Sequence, residues 1–226
     1  MIPKIIWQTH EAEYDDLEPF QKNVTNTWKN LNPGWNYKYI SKTARGIYLD
    51  EFEEFIVSCY SELTGINQAD LFKMLIVHKY GGFYADMDSV CIMPLDNIVS
   101  QMTEGKEIVT SSPGFQTERN EINCSNFGGI PNGQNLTKII EEAKAKYKQI
   151  LEEGVFTLKG LHPGIPTWLA FNTVNVANHE TIFFNEDYFM HSEIFKVAFD
   201  SEFLVEHNGE MIPYLEFAEL NNLPIY

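Results

Sequence analysis

Apolar residues recur at two different spacings along this chain, and segments with the two spacings alternate. Short apolar runs at residues 3–7 and 37–40 predict strands. Residues 66–80 predict an amphipathic helix, because their apolar positions recur at helical spacing. Strands that alternate with helices predict an α/β fold. Further helices are predicted over residues 20–30, 43–48, 51–58 and 138–152, and further strands over residues 108–111 and 125–129.

The most informative stretch joins the helix at residues 66–80 to a strand that ends at Asp86-Met87-Asp88. Gly81-Gly82 supplies the left-handed residue that commonly ends a helix. The helix beyond Asp70 travels roughly 15 Å, and the strand that follows travels roughly 13 Å. If the glycine turn reverses the chain, Asp70 returns to the end of the unit that holds Asp86 and Asp88. Three carboxylates are therefore predicted to converge on one pocket.

The spacing of Asp86 and Asp88 indicates a metal site. Two carboxylates at positions i and i+2 form a compact site for a hard divalent cation such as Mn²⁺ or Mg²⁺, because hard cations prefer oxygen ligands. Such a cation could be shared with the phosphates of a nucleotide. The alternative interpretation is an exposed turn after a strand, where Asp is common. The helix and glycine turn before the pair favour the metal site.

Length, composition and charge narrow the classes of protein. The 226 residues are 44% hydrophobic, which predicts a single domain over residues 1–226. A net charge of −16 argues against a nucleic-acid partner, since backbone binding requires a basic surface. Three widely spaced cysteines favour a reducing compartment, so we expect a cytoplasmic protein. No apolar run reaches the length of a membrane span, and we expect neither a leader nor an anchor.

Two blocks of sequence stand out, IPKIIWQT at residues 2–9 and the stretch from residue 69 to residue 88. They resemble glycosyltransferase family 32, the DXD-containing sugar transferases that include fungal α-1,6-mannosyltransferases and, distantly, the large clostridial glucosylating toxins. Residues 2–9 (IPKIIWQT) resemble the family's I-P-K-x-I-W-Q-T strand. Residues 69–73 (ADLFK) and 79–88 (KYGGFYADMD) resemble its S-D-x-x-R…Y-G-G-x-Y-x-D-x-D pattern. The resemblance implies a GT-A-like fold with a mixed central sheet flanked by helices. Residues 1–100 would form the nucleotide-sugar-binding half and residues 101–226 the acceptor side.

The resemblance also implies an activity and the residues that perform it. The activity is metal-dependent, retaining transfer of a hexose from a UDP- or GDP-sugar to a glycan or other hydroxyl acceptor, as in polysaccharide biosynthesis. Lys73 occupies the family's arginine position, which keeps the charge but loses the planar two-pronged donor. The implied catalytic residues are Asp70, Lys73 and Asp88, the implied metal ligands are Asp86, Asp88 and His207, and the implied donor-binding residues are Trp7, Gln8, Thr9, Asp70, Lys73, Asp86 and Asn126.

Several of these residues also have a purely structural interpretation. Asp70 could simply place a favourable charge near a helix N-terminus. Trp7, expected by resemblance to stack on the nucleobase, could be an ordinary core residue. Asn126 could belong to a turn at a strand end. His207, after the apolar residues 203–205, could be a packed or surface histidine.

Two other classes of protein compete with the transferase. A haloacid-dehalogenase-like phosphohydrolase also ends a strand in D-x-D, but it uses the first strand and a later G-D-x-x-x-D. Here the Asp86/Asp88 pair comes only after about 80 residues of chain, and the later motif is absent from the sequence. The other alternative is a non-catalytic sugar- or nucleotide-binding module that keeps the fold.

Overall fold

The central feature of the computed structural model is a sheet with helices packed on both of its faces. The structure describes residues 1–63, 65–87, 89–91, 94–100, 107–111, 126–153, 181–184, 189–191, 204–207 and 210–213. The strands are β1 (Ile5–His10), β2 (Asn36–Ser41), β3 (Gly82–Ala85), β4 (Ser89–Cys91), β5 (Ile108–Ser111), β6 (Asn126–Gly129), β7 (Thr181–Phe184), β8 (Phe189–His191), β9 (Leu204–His207) and β10 (Glu210–Pro213). The helices are α1 (Pro19–Leu31), α2 (Lys42–Leu49), α3 (Glu54–Glu62), α4 (Ile66–Tyr80), α5 (Asp96–Val99) and α6 (Gln134–Glu153).

The main sheet is mixed, with the strand order β2-β1-β3-β6-β5-β7. β1 pairs in parallel with β2 on one side and with β3 on the other, so the carboxyl ends of these strands meet at one edge of the sheet. β6 runs antiparallel to both β3 and β5, while β7 is parallel to β5. β4 with β8, and β9 with β10, form separate antiparallel pairs. The predicted mixed sheet is confirmed.

Neighbouring residues of the central strands point into two different cores. Ile6 and Phe83 pack with residues of α1 and α5, whereas Trp7 and Tyr84 pack with residues of α3, α4 and α6. This division follows from the two-residue period of a strand. Helices therefore cover both faces of the sheet, as the alternating sequence pattern predicts. None of the helices in the described ranges is long and apolar enough to cross a membrane.

The two long helices of the first hundred residues begin where local signals place them. Pro19 opens α1, and the side chains of Glu18 and Gln21 form a reciprocal capping box. α4 has the predicted bounds, Ile66–Tyr80. α3 begins later than predicted, at Glu54, because the chain from Asp50 to Phe52 makes turn hydrogen bonds back to the end of α2.

The Gly81-Gly82 turn reverses the chain between α4 and β3. The φ angles of Gly81 and Gly82 are +67° and +105°, in a region that side chains disfavour. A Cβ on Gly81 would lie 2.7 Å from Pro3 Cδ, and one on Gly82 would lie 2.6 Å from the carbonyl oxygen of Ile5. Glycine at both positions therefore permits the reversal and lets β3 pack closely against β1.

We expect Gly82→Ala to lower the free energy of unfolding by about 2–5 kcal/mol, because it combines backbone strain with overpacking against β1. Gly46→Ala is the matched control. Gly46 lies exposed within α2, and a Cβ there would meet nothing within 4 Å, so the change should raise stability by about 0.5–1 kcal/mol. Urea unfolding of the two variants measures both effects. Equal stabilities would contradict this account of the turn.

Candidate active site

Two of the predicted acids meet at the carboxyl edge of the sheet, on either side of a lysine. Lys73 Nζ lies 2.8 Å from Asp70 Oδ1 and 3.3 Å from Asp86 Oδ1. Asp70 and Lys73 lie one turn apart in the first half of α4, and Asp86 directly follows β3. The glycine turn brings them together, so the predicted return of Asp70 toward Asp86 is confirmed. Asp88 lies outside the described residues.

Lys73 is buried although it carries a charge. Only 2% of the residue is exposed, whereas the side chains of Asp70 and Asp86 are 18% and 28% exposed. Its ammonium also lies 5.3 Å from the centroid of the Tyr84 ring. Among the described side chains, two carboxylates face a single cation, so this part of the cluster is formally negative. The protein thus holds a fixed, partly exposed negative charge at the edge of the sheet.

Tyr84 fixes the orientation of the Asp86 carboxylate, and sequence reasoning assigned it no such role. Its hydroxyl donates a hydrogen bond of 2.9 Å to Asp86 Oδ1. Burial, together with the nearby Asp86 charge, raises the pKa of Tyr84 well above its usual value. The two residues lie two positions apart, so strand alternation places them on the same side of β3 and could have revealed the pair.

Gln8, on β1, hydrogen-bonds to the backbone of Asp86. The residue is fully buried, and its Nε2 donates to the carbonyl oxygen of Asp86 at 3.2 Å. Its Oε1 accepts a hydrogen bond of 2.7 Å from the hydroxyl of Tyr37 on β2. Gln8 was predicted to contact the donor, and that role stays a prediction. Its described contacts link β1, β2 and the turn after β3.

Thr9 belongs to a second buried polar cluster, centred on Arg45. Its hydroxyl donates to the carbonyl oxygen of Ile40 at 2.7 Å and accepts from Arg45 Nε at 2.8 Å. Arg45 is 1% exposed, and its Nη1 lies 3.0 Å from Glu11 Oε1. The sequence offered no signal for Arg45, because a single arginine in a short polar helix is typical of a solvated face.

Trp7 lies in the core of the α4 face. It is 4% exposed, and its ring centroid lies 6.2 Å from that of Tyr48 and 5.9 Å from that of Tyr80. Its indole N–H donates to the carbonyl oxygen of Gly81 at 2.8 Å. The structure thus gives Trp7 the packing role that was the alternative to nucleobase stacking, and it does not bring the ring to the site surface.

Asn126 begins β6 opposite Ala85, and it is 6% exposed. Its Nδ2 donates to Ser89 Oγ at 3.0 Å, so Asn126 contacts the segment directly after the acidic pair. His207 ends β9, where it pairs with Glu210 of β10. Its assignment as a metal ligand stays a prediction. Within the described part of the chain, no three His, Cys, Asp or Glu side chains converge as a metal site.

Comparison with known proteins shows what part of this sequence and its fold resemble. Residues 19–104, which include Asp70, Lys73, Asp86 and Asp88, match the family described as "Glycosyltransferase sugar-binding region containing DXD motif". This match confirms the resemblance found in the sequence. The solved structure of the PaToxG glycosyltransferase superposes with a TM-score of 0.53 at 15% identity, covering 75% of this chain and 68% of that one. The fold is that of the GT-A glycosyltransferases.

Two curated yeast proteins are similar in sequence to part of this chain. The chain is 28% identical over 149 residues to the mannosyl phosphorylinositol ceramide synthase of Saccharomyces cerevisiae, covering 64% of this chain and 35% of that protein. It is 28% identical over 111 residues to the initiation-specific α-1,6-mannosyltransferase of the same yeast, covering 44% of this chain and 22% of that protein. The chain thus aligns with about a third or less of the length of these two relatives.

We expect Lys73→Met to lower the free energy of unfolding by about 1–3 kcal/mol, because it keeps the buried stem but leaves two carboxylates without their shared cation. The matched control is Lys42→Met. Lys42 Nζ lies 2.6 Å from Glu11 Oε2, but both side chains are nearly half exposed, so its loss should cost less than about 1 kcal/mol. Chemical denaturation measures the free energy of unfolding of both variants and of the wild type. Equal losses would contradict a special role for the buried lysine.

We expect Tyr84→Phe to reduce the alkaline destabilisation of the protein. Because the pKa of Tyr84 is raised in the folded state, the unfolded chain ionises this tyrosine first, above about pH 10. The contribution of Tyr84 to folding stability is therefore constant below that pH and falls as pH rises above it, by up to ~1.4 kcal/mol per pH unit. Urea unfolding between pH 9 and 11 should show a shallower decline in the variant. Identical slopes would rule out this coupling.

Proposed function

We propose that this chain is a metal-dependent, retaining glycosyltransferase that moves a hexose from a nucleotide-diphosphate sugar to a hydroxyl of a glycan acceptor. The observation that carries the proposal is the Asp70–Lys73–Asp86 cluster at the carboxyl edge of β1 and β3. Open α/β sheets bind ligands at this edge. The family match over residues 19–104 supports the same class of reaction.

The residues present fit a divalent cation. The described cluster is negative, and Asp86 is 28% exposed, with both of its described side-chain contacts at Oδ1. Carboxylate oxygens are the ligands that Mn²⁺ and Mg²⁺ prefer. We assign direct coordination to Asp88, with Asp86 and His207 as the further ligands. When bound, the cation would neutralise the diphosphate and stabilise it as the leaving group.

Asp70 and Lys73 would orient the donor. Lys73 holds Asp70 Oδ1 at 2.8 Å, and we assign the other carboxylate oxygen to accept hydrogen bonds from hydroxyls of the donor sugar. The Lys73 ammonium is a compact charge fixed between two carboxylates, which suits it to support a diphosphate without the bidentate geometry of arginine. In this proposal the departing diphosphate receives the proton of the acceptor hydroxyl, so a retaining transfer needs no separate protein base.

Mannose is the first sugar to test, because the names of both yeast relatives contain the mannosyl group. The donor panel is GDP-mannose, UDP-glucose, UDP-galactose and UDP-N-acetylglucosamine. The UDP-sugars separate glucose, its epimer galactose and N-acetylglucosamine on one nucleobase, and GDP-mannose tests mannose on the other nucleobase; such differences are distinguished by a few hydrogen bonds. A non-catalytic module would bind one of these donors without turning it over.

We expect nucleotide release from one donor with Mn²⁺, and a loss of about 100-fold or more in Asp88→Asn, because that change removes a carboxylate assigned to hold the cation that stabilises the departing diphosphate. Asp50→Asn is the control, since Asp50 is an exposed residue that ends α2. Release is measured with and without Mn²⁺, and donor binding by calorimetry. Mn²⁺-dependent release that survives in Asp88→Asn would contradict the metal assignment. Donor binding without release, with or without a glycan acceptor, would select the binding module.

A further inference from the structure

The strand that follows the acidic pair is held in place by side chains of a helix. β4, Ser89–Cys91, is only three residues long but entirely buried. It lies outside the six-stranded sheet and pairs only with β8 among the described strands. So short a strand has few backbone bonds of its own, and its position depends on other contacts.

The last turns of α1 and its C-cap residue supply those contacts. Trp28 Nε1 donates to the carbonyl oxygen of Ser89 at 2.7 Å. The N–H of Cys91 donates to Thr27 Oγ1 at 3.0 Å. Asn32 Oδ1 accepts from the N–H of Leu95 at 2.7 Å, which extends the contact beyond the strand. Trp28 and Thr27 are fully buried, so these bonds form in a low-dielectric interior where losing a partner is costly.

Asp86 and Ser89, the two ends of the turn that leads into β4, make further hydrogen bonds. The carbonyl oxygen of Asp86 accepts hydrogen bonds from Gln8 Nε2 at 3.2 Å and from the N–H of Ser89 at 3.1 Å. The hydroxyl of Ser89 accepts from Asn126 Nδ2 at 3.0 Å. The two ends of the turn, Asp86 and Ser89, are thus tied to β1, β6 and α1.

We propose that Trp28 is a positioning residue for metal binding: through the carbonyl of Ser89 it fixes the turn from Asp86 to Ser89, and Thr27 assists through Cys91. This inference rests on the proposed function, since it assigns a metal to that turn. Trp28 touches neither donor nor cation in this assignment. Residues that orient metal ligands typically change metal affinity 10- to 100-fold when they are removed.

Trp28→Phe isolates the hydrogen bond from the packing. The Trp28 ring lies 5.9 Å from the Phe83 ring, and phenylalanine can keep that contact while leaving the Ser89 carbonyl without its indole donor. Trp35→Phe is the matched control. Trp35 is buried in the same core and donates its indole N–H to Asp96 Oδ1 at 2.9 Å, on a carboxylate that is 57% exposed.

Manganese binding is measured by electron paramagnetic resonance of free Mn²⁺ in the absence of nucleotide, beside urea unfolding of each variant. We expect Trp28→Phe to weaken Mn²⁺ binding about tenfold and Trp35→Phe to leave it unchanged. Unchanged Mn²⁺ affinity in a destabilised Trp28→Phe would overturn the proposal and make Trp28 a packing residue. Wild-type protein that binds no Mn²⁺, or Asp88→Asn that binds it normally, would overturn the proposed function as well, so the two failures are distinguishable.

A second pair of variants serves if Trp28→Phe does not fold. Thr27→Val removes the oxygen that accepts from Cys91, whereas Thr25→Val makes the same change on the same helix away from β4. Both hydroxyls donate to a carbonyl three residues earlier, at 2.7 Å for Thr27 and 2.8 Å for Thr25, and both residues are fully buried. Weaker Mn²⁺ binding in Thr27→Val alone supports the proposal. Equal Mn²⁺ binding in the two variants contradicts it.

Discussion

The hydrogen bond from the Trp7 indole to the carbonyl of Gly81 joins the first strand to the turn on which the site depends. It forms because Gly82, without a side chain, lets that turn approach the backbone of Ile5. A bulkier residue there would separate β3 from β1 and move the carboxyl end of β3 away from the start of α4. The relative position of Asp70 and Asp86 thus depends on the close packing of the Gly81-Gly82 turn against β1.

The site itself is organised around the buried ammonium of Lys73. Lys73 contacts two carboxylates that remain partly exposed, and the phenol of Tyr84 occupies the same oxygen of Asp86. Burying a lysine is unfavourable unless its charge is paired, so the pairing keeps both carboxylates within reach of its ammonium. The remaining negative charge lies at the sheet edge, where the proposed divalent cation would balance it.

The sequence predicted the elements that local pattern determines and missed the contacts that only tertiary structure creates. α4, its glycine turn and β3 follow from periodicity and from residues adjacent in the chain. β4 was not predicted, because a strand of three residues has little pattern of its own and pairs with residues about a hundred positions later. Trp7 and Gln8 were recognised as important, but their described partners are protein groups, which a motif cannot distinguish from ligand atoms. No sequence pattern indicated that Arg45 would be buried.

The outermost position of β2 in the described sheet has a consequence for association between molecules. An edge strand presents unpaired backbone groups that can template a foreign strand. In β2 the first residues alternate between exposed and half-buried positions, and the exposed ones include Asn36 and Lys38. A charged lysine on an edge opposes such pairing, because joining another sheet would bury its ammonium. β2 therefore carries its own protection against aggregation through strand addition.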